Sequence, residues 1–339
     1  MKYSDRDSYP ITFIISISGL SETEATTALS VLELVEPNAE ILFCATSKNE
    51  PSARLVSRAL ANRNLTNDPN ISLIFTPVRH SRNPKLDNIQ AGFDAAQHDA
   101  LVLLDGNIEI PGDFISQMQH IWRPDVSLVS TAPLAVDPST FWASVEMSLI
   151  TGVYARWLLA GDQLGITFAS GKVLVFSRSW LNAQGGLDKL DKYVAEDMAL
   201  TKLARSTGSK VKLLTRPMRQ PLDHRTAKEF FSRASRWMKI RRTDIPFGYS
   251  LELIYSFWFL VLFSGLWAGS IGASLAKTLI ISFIFWHALE ALINKNTGAK
   301  WSPMFHVHLL VRDALTLPLW ITGWFGRHYY WRGQEIRFR

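Results

Sequence analysis

Over its first hundred residues the chain alternates short apolar runs with segments of helical period. Apolar runs of strand length occupy residues 11–18, 39–44, 71–75 and 100–104. Between them, residues 22–34, 51–62 and 86–96 repeat apolar positions three and four apart, as one face of a helix requires. Strands that alternate with helices imply a parallel sheet with right-handed crossovers, an α/β domain of nucleotide-binding type. The first strand ends on Ser18-Gly19-Leu20-Ser21, which is neither Gly-x-Gly-x-x-Gly nor a Walker pattern, so dinucleotide and P-loop enzymes are disfavoured. Residues 141–159 read as an aromatic-rich helix that either lies in a membrane interface or packs on the sheet. Residues 173–176 and 211–214 read as strands, and 196–205 as a helix.

The pattern changes at Lys228. Residues 228–242 interleave Arg233, Arg236, Lys239, Arg241 and Arg242 with Phe230, Phe231, Trp237 and Met238, a basic amphipathic helix suited to a membrane surface. Residues 253–276 contain no charged side chain and are long enough to span a bilayer. Residues 274–293 form a second expected span, with Lys277 and Glu290 near its ends reaching toward the interfaces. The two spans make a hairpin, and the basic run before it fixes that side as cytoplasmic. Residues 306–325 are apolar again but carry Arg312-Asp313 and Pro318. They read as an interfacial or re-entrant helix, a third span being the alternative.

Composition sharpens this division. Most of the 12 Trp lie after residue 235, so the two ends of the chain meet different solvents. A net charge of +6 fits an anionic partner, whether nucleotide phosphate, lipid surface or nucleic acid. The apolar spans that follow the basic helix favour the membrane, and no nucleic-acid partner is expected. The single cysteine, Cys44, excludes an intramolecular disulfide framework. Its neighbours Ile41, Leu42 and Phe43 mark it as a buried strand thiol rather than a nucleophile. The charged N-terminus and the short run at 11–17 carry no signal for export.

The candidate chemistry begins at Asp105, at the tip of the fourth apolar run, where open α/β sheets bind their ligands. With Asn107 two residues on and only Gly106 between, the pair can offer oxygens to a Mg²⁺ or Mn²⁺ bridged to a diphosphate. Asp-Gly-Asn after a strand is also a common turn. Glu196 and Asp197 open a helix, where carboxylates are favoured by the dipole and need do nothing more. Arg233 and Arg236 suit phosphate oxygens, and equally a solvated or headgroup-facing surface.

Four separated stretches then line up: Asn83-Pro84-Lys85-Leu86-Asp87-Asn88, Asp105-Gly106-Asn107, Ala195-Glu196-Asp197 and Arg233-Ala234-Ser235-Arg236-Trp237. In their order and spacing, with a membrane hairpin after the last and Trp331-Arg332-Gly333 near the end, the chain resembles the inverting GT-A glycosyltransferases, most closely the ceramide glucosyltransferases. The resemblance implies a nucleotide-sugar-binding GT-A domain, α/β with a mostly parallel sheet, followed by C-terminal membrane helices. It implies that Asp105 and Asn107 hold a divalent cation, Mg²⁺ or Mn²⁺, on the donor diphosphate, and that Asp197, beside Glu196, deprotonates the acceptor hydroxyl. Lys85, Asp87, Asn88, Arg233, Arg236 and Trp237 would line the donor and its leaving group. Members of the family carry an aspartate after the second strand that contacts the base or ribose. The matching position here is Ser47, with Glu50 in the same loop. The chain also begins without the N-terminal span common in these enzymes, so the C-terminal hairpin is expected to anchor it.

The expected organisation is a catalytic domain over 1–227, a basic interfacial helix over 228–248 and a membrane region over 249–339, with the catalytic domain cytoplasmic. The expected reaction moves a hexose, glucose from UDP-glucose, to the hydroxyl of a membrane lipid, ceramide foremost. A hopanoid-linked or diacylglycerol acceptor is the nearest alternative. A non-catalytic nucleotide-sugar-binding membrane protein is the alternative from another class.

Overall fold

The computed structural model describes residues 10–34, 39–76, 84–191, 193–296, 304–326, 328–331 and 334–337. The chain divides into two compact units, Met1–Ala135 with Tyr154–Pro221, and Val136–Val153 with Leu222–Arg339.

In the first unit the apolar runs become strands. They are β1 (Ile11–Ser16), β2 (Ala39–Ala45), β3 (Ile71–Phe75), β4 (Ala100–Asp105), β5 (Val126–Ser130), β6 (Pro133–Pro138), β7 (Val173–Ser177), β8 (Lys210–Leu213) and β9 (Met218–Asp223). Seven form one sheet in the order β3-β2-β1-β4-β7-β5-β8, while β6 and β9, whose last residues belong to the second unit, pair in a separate ribbon. The pairs β1–β2, β2–β3, β1–β4 and β5–β8 are parallel, while β7 runs antiparallel to both β4 and β5. All residues of β1 and β2 are buried, as expected of strands covered on both faces.

Side chains alternate across the sheet, so one face gathers Phe13, Ile15, Phe43, Val102 and Leu104 against Phe114. The other gathers Ile14, Leu42, Cys44, Leu101 and Leu103 against Leu86, Ile89 and Phe93 of the Pro84–Ala95 helix. Cys44 is fully buried, and burial pushes its thiol up to about 12 against a partly offsetting backbone contact from Gly92. It is a packing residue, as its neighbours imply.

The second unit is built from helices and an antiparallel ribbon, β10 (His328–Trp331) with β11 (Gln334–Arg337). The basic segment is the helix Ala227–Asp244, started by a capping box between Thr226 and Glu229. Phe230, Ala234 and Met238, four apart, form its buried stripe, and it packs on the helix Met304–Trp324. The expected aromatic helix is divided: Phe141–Leu149 is α-helical, Ile150–Ala155 is a π-helix, and Arg156–Gln163 is α-helical in the first unit. Its first part packs on the Met304–Trp324 helix within the second unit.

The structure adds detail to the apolar segments at two points. The span expected over 253–276 is interrupted at Ser256, whose backbone is extended and whose hydroxyl caps the next helix through the Phe259 N–H. That helix, Phe257–Ser270, is about 21 Å long at 1.5 Å per residue. It falls short of a hydrocarbon core of about 30 Å. It and the preceding Pro246–Tyr255 segment are bent by 63°. Among the described residues one unbroken helix, over Leu275–Asn294, is long and apolar enough to cross a membrane, and the bent pair passes the same test when taken together as one broken span. Glu290 does not reach for an interface either. It is 5% exposed and pairs with Arg312 at 3.3 Å.

Arg312 also binds Asp313 at 2.7 Å, and Trp286 donates its indole N–H to Asp313 Oδ2 at 2.9 Å. Gly152, inside the π-helical turn, leaves room for this arginine, since a Cβ there would lie 2.7 Å from Arg312 Nη1. The charges of the Met304–Trp324 helix are thus satisfied inside the unit.

The close approach of the Pro84–Ala95 helix to the sheet gives a stability test. A Cβ at Gly92 would lie 2.6 Å from Cys44 Sγ and 2.8 Å from Ile14 Cγ2. Gly92→Ala should therefore lower stability, because overpacking costs about 1–3 kcal/mol against a helix-propensity gain of about 1 kcal/mol. Adding Cys44→Ala should recover part of the loss when the unfolding midpoints of the two purified proteins are compared. A neutral Gly92→Ala would contradict this packing.

Candidate active site

Chain order places a crevice at the carboxyl ends of β1 and β4, because β2 and β3 lie on one side of β1 and β4 on the other. Asp105 is the last residue of β4, level with Ser16 at the end of β1. The Ile108 N–H donates to the Asp105 carbonyl at 3.2 Å, so Asp105-Gly106-Asn107 is the common turn as well as a candidate site. Gly106 has to be small, since a Cβ would strike Leu20 and crowd the Ser16 carbonyl at 3.2 Å.

Antiparallel pairing of β7 with β4 sets Val173 opposite Leu104 and brings Lys172 beside Asp105. The Asp105 N–H donates to the Lys172 carbonyl at 2.9 Å. The Lys172 ammonium returns across the turn to Asp105 Oδ2 at 2.8 Å and Asn107 Oδ1 at 3.1 Å.

One residue earlier, Gly171 connects this pair with the second pair of carboxylates. Its N–H donates to Asp197 Oδ2 at 2.6 Å, and its carbonyl accepts from Lys85 Nζ at 2.7 Å. A side chain at Gly171 would crowd both acids, a Cβ lying 3.2 Å from Asp197 Oδ2 and 3.2 Å from Glu196 Oε1. Glu196 and Asp197 open the helix Glu196–Ser206, whose free N–H groups favour negative charge. The Met198 N–H donates to Asp197 Oδ1 at 2.7 Å. Lys85 reaches Glu196 Oε1 at 2.7 Å.

Burial, and then the charge of Glu196, push the Asp197 carboxyl up to about 7, against the pull of Met198 N–H, Lys85 and Gly171 N–H. Burial alone would lower the Lys85 pKa, yet Glu196, Asp105 and Asp197 together raise it, so this lysine stays charged. The cluster thus offers a carboxylate poised to gain and lose a proton near neutrality, beside fixed positive charge.

Other residues expected at the site are held in local networks. Asn88 is a buried strut, donating to Ser16 Oγ at 2.5 Å and accepting from Ser18 Oγ at 3.2 Å. Asp87 is buried on the same helix. Glu50 turns inward, accepting from Gly19 N–H at 2.8 Å and from the N–H groups of Thr46 and Ser47, both at 3.0 Å. Burial opposes its ionisation, but these bonds and the hydroxyls of Thr46 and Ser18 hold its carboxyl below the usual range. Its carboxylate joins the loops after β1 and β2, and Ser47 lies within the loop so formed.

In the second unit Arg233 Nε binds Glu146 at 3.0 Å, and Arg225 lies on the other oxygen at 3.4 Å. Glu146 is fully buried. The Arg233 guanidinium also lies 5.4 Å from the ring of Trp237, and Arg236 is half-buried on the same helix. Asn83, Arg332 and Gly333 lie outside the described residues.

Sequence reasoning missed Gly171, Lys172 and Glu146. A lysine heading an apolar strand was a visible signal for Lys172, but its neighbour across the sheet was not.

The donors on the β4 turn fit a small divalent cation. A carboxylate oxygen and an amide oxygen, both hard, already converge on one positive centre, the Lys172 ammonium, which stands in for such an ion. Among the described residues no group of three or more His, Cys, Asp or Glu side chains is placed to hold a metal. The remaining ligands would be diphosphate oxygens and water, the usual arrangement for Mg²⁺ on a nucleotide.

The model of glycosyl transferase family 21 matches residues 3–339. Ceramide glucosyltransferase 1 of Caenorhabditis elegans is 26% identical over 309 residues, which cover 88% of this chain and 65% of that protein. Ceramide glucosyltransferase 3 of the same organism is 23% identical over 295 residues, covering 82% of this chain and 61% of that protein. The chain therefore matches less than two thirds of the length of either relative. Among solved structures, the mannosyltransferase PcManGT from Pyrobaculum calidifontis, in complex with GDP-Man and Mn²⁺, is similar in fold. Its TM-score is 0.52 at 15% identity, covering 95% of this chain and 89% of that one. The first unit is thus a GT-A type α/β domain, and because the family match runs through the sheet, the carboxylate cluster and the apolar helices alike, the chain belongs to glycosyl transferase family 21.

Proposed function

We propose that this family 21 chain is a metal-dependent, inverting glycosyltransferase that moves glucose from UDP-glucose to the hydroxyl of a membrane lipid, with ceramide the first candidate. The observation that carries this reading is the Asp197 carboxylate, held by one backbone N–H on each oxygen and raised to about 7 by burial and Glu196. The names of the two nematode relatives support the choice of sugar and acceptor. The apolar helix Leu275–Asn294 supports a membrane location, and the basic helix before it supports a cytoplasmic catalytic unit.

In this mechanism each Asp197 oxygen keeps a lone pair beyond its backbone hydrogen bond. The acceptor hydroxyl gives its proton to that carboxylate as its oxygen attacks the anomeric carbon. The bond from that carbon to the diphosphate oxygen breaks, and nucleoside diphosphate leaves as the glycosidic bond forms. Lys85 fixes Glu196 and Gly171, and so the position of the base. A cation held by Asp105 and Asn107 would offset negative charge growing on the diphosphate. Glu50 shapes the donor loop through its backbone bonds, a role for which the family's aspartate is not required.

Transfer of labelled glucose from UDP-glucose to a panel of ceramide, diacylglycerol and hopanoid acceptors in detergent, with Mn²⁺ or with chelator, tests the reaction. Chelator-sensitive labelling of one lipid is expected, and no labelling with any nucleotide-sugar would favour a binding protein. Asp197→Asn should reduce transfer by about 10³-fold or more, the scale of a lost general base, while UDP-glucose binding by calorimetry stays nearly unchanged. Asp105→Asn should instead weaken metal-dependent donor binding. Equal losses of donor affinity in the two variants would contradict the separate roles.

The base works only when ionised. kcat/KM for the lipid should therefore rise with pH through about 7 and be lost as pH falls below it. Lys85→Met removes a charge that pulls the Asp197 pKa down, so this acid limb should move to higher pH. A limb that stays in place would separate Asp197 from the titration.

A further inference from the structure

The cation site proposed for the β4 turn already has an occupant supplied by the chain. Lys172 is only 17% exposed, and its ammonium lies 2.8 Å from Asp105 Oδ2 and 3.1 Å from Asn107 Oδ1. Its backbone is held to the same turn by the bond from the Asp105 N–H, and the antiparallel register of β7 with β4 prevents it from sliding away. A second positive centre on those two oxygens would stand within a few ångströms of the ammonium. In a partly buried site that repulsion is not screened by solvent as it would be at the surface.

We infer that Lys172 is the protein's own counter-ion at Asp105 and Asn107, and that a divalent cation binds there more tightly together with a nucleoside diphosphate than alone. This rests on the metal-dependent reading above and adds to it an order of assembly. The diphosphate brings the negative charge and the oxygen ligands that the turn lacks. It also offers the displaced ammonium a new anionic partner, since lysine is a compact point charge able to pair with phosphate. The coupling is reciprocal: nucleotide strengthens metal binding by the same factor by which metal strengthens nucleotide binding. Lys172 is here a positioning residue. It keeps the two oxygens converged in the donor-free protein and opposes an unproductive metal complex.

The test reads metal binding without turnover. Free Mn²⁺ is titrated by electron paramagnetic resonance against the purified full-length chain in detergent, with and without UDP. For the wild type, UDP should tighten Mn²⁺ binding by about tenfold or more, the scale expected for removing one unscreened like charge. Lys172→Met should bind Mn²⁺ without UDP about tenfold more tightly than the wild type, with a correspondingly smaller gain from UDP. Lys172→Arg, which keeps the charge, should resemble the wild type.

Equal Mn²⁺ affinities in wild type and Lys172→Met would overturn the inference while leaving the metal reading intact. Should Lys172→Met fail to fold, the wild type alone decides, because Mn²⁺ bound as tightly without UDP as with it would overturn the inference. Mn²⁺ bound under neither condition would overturn the metal reading along with it.

Discussion

Three acidic side chains from two distant parts of the chain, Asp105, Glu196 and Asp197, are held together in the first unit by two lysines and one glycine. Like charges brought into a partly buried place repel strongly unless compensated. Lys172 neutralises Asp105, Lys85 neutralises Glu196, and the backbone N–H groups of Gly171 and Met198 satisfy Asp197. Asp197 is held by backbone N–H groups, and burial and then the charge of Glu196 push its carboxyl up to about 7. All of it depends on Gly171, because any side chain there would crowd both acids.

The second unit solves the opposite problem, which is how apolar helices carry charge. Glu146 is a buried carboxylate between two guanidiniums, Arg225 and Arg233. Arg312 is a buried guanidinium between two carboxylates, Glu290 and Asp313. Removing a charge from water costs several kcal/mol, which only close, well-directed partners offset. The first arginine of the Arg-x-x-Arg-Trp stretch is therefore at once a candidate phosphate ligand by residue type and a structural tie by geometry. The Gly152 π-helical turn and the Trp286 indole are the local accommodations that let Arg312 and Asp313 reside on apolar helices.

Much of the first unit was legible because its strands are continuous apolar runs ending at turns. Asp105 was legible for the same reason, as the charge on which the apolar run of β4 ends. The partners of that charge were not. Lys172 and Gly171 precede a strand that pairs antiparallel with β4, and nothing local in residues 173–176 distinguishes that pairing from a parallel one. Glu146 gave no sequence signal at all, since its arginines lie some eighty residues on. Hydropathy also carried a span through Ser256, because one serine barely changes a window average, whereas its extended backbone and capping hydroxyl divide the helix. Glu290 looked like an interfacial residue for want of any sign of Arg312. In each case the missing information was a long-range partner.

The role proposed for Asp197, a base that takes the proton of the attacking hydroxyl, implies a single displacement and hence inversion at the reacting carbon. The most direct measurement is the anomeric configuration of the glycolipid product, read from the coupling of its anomeric hydrogen by proton NMR after enzymatic transfer from α-configured UDP-glucose. A β-linked product is expected. An α-linked product would require a second displacement and a second nucleophile, and would contradict the role given to Asp197.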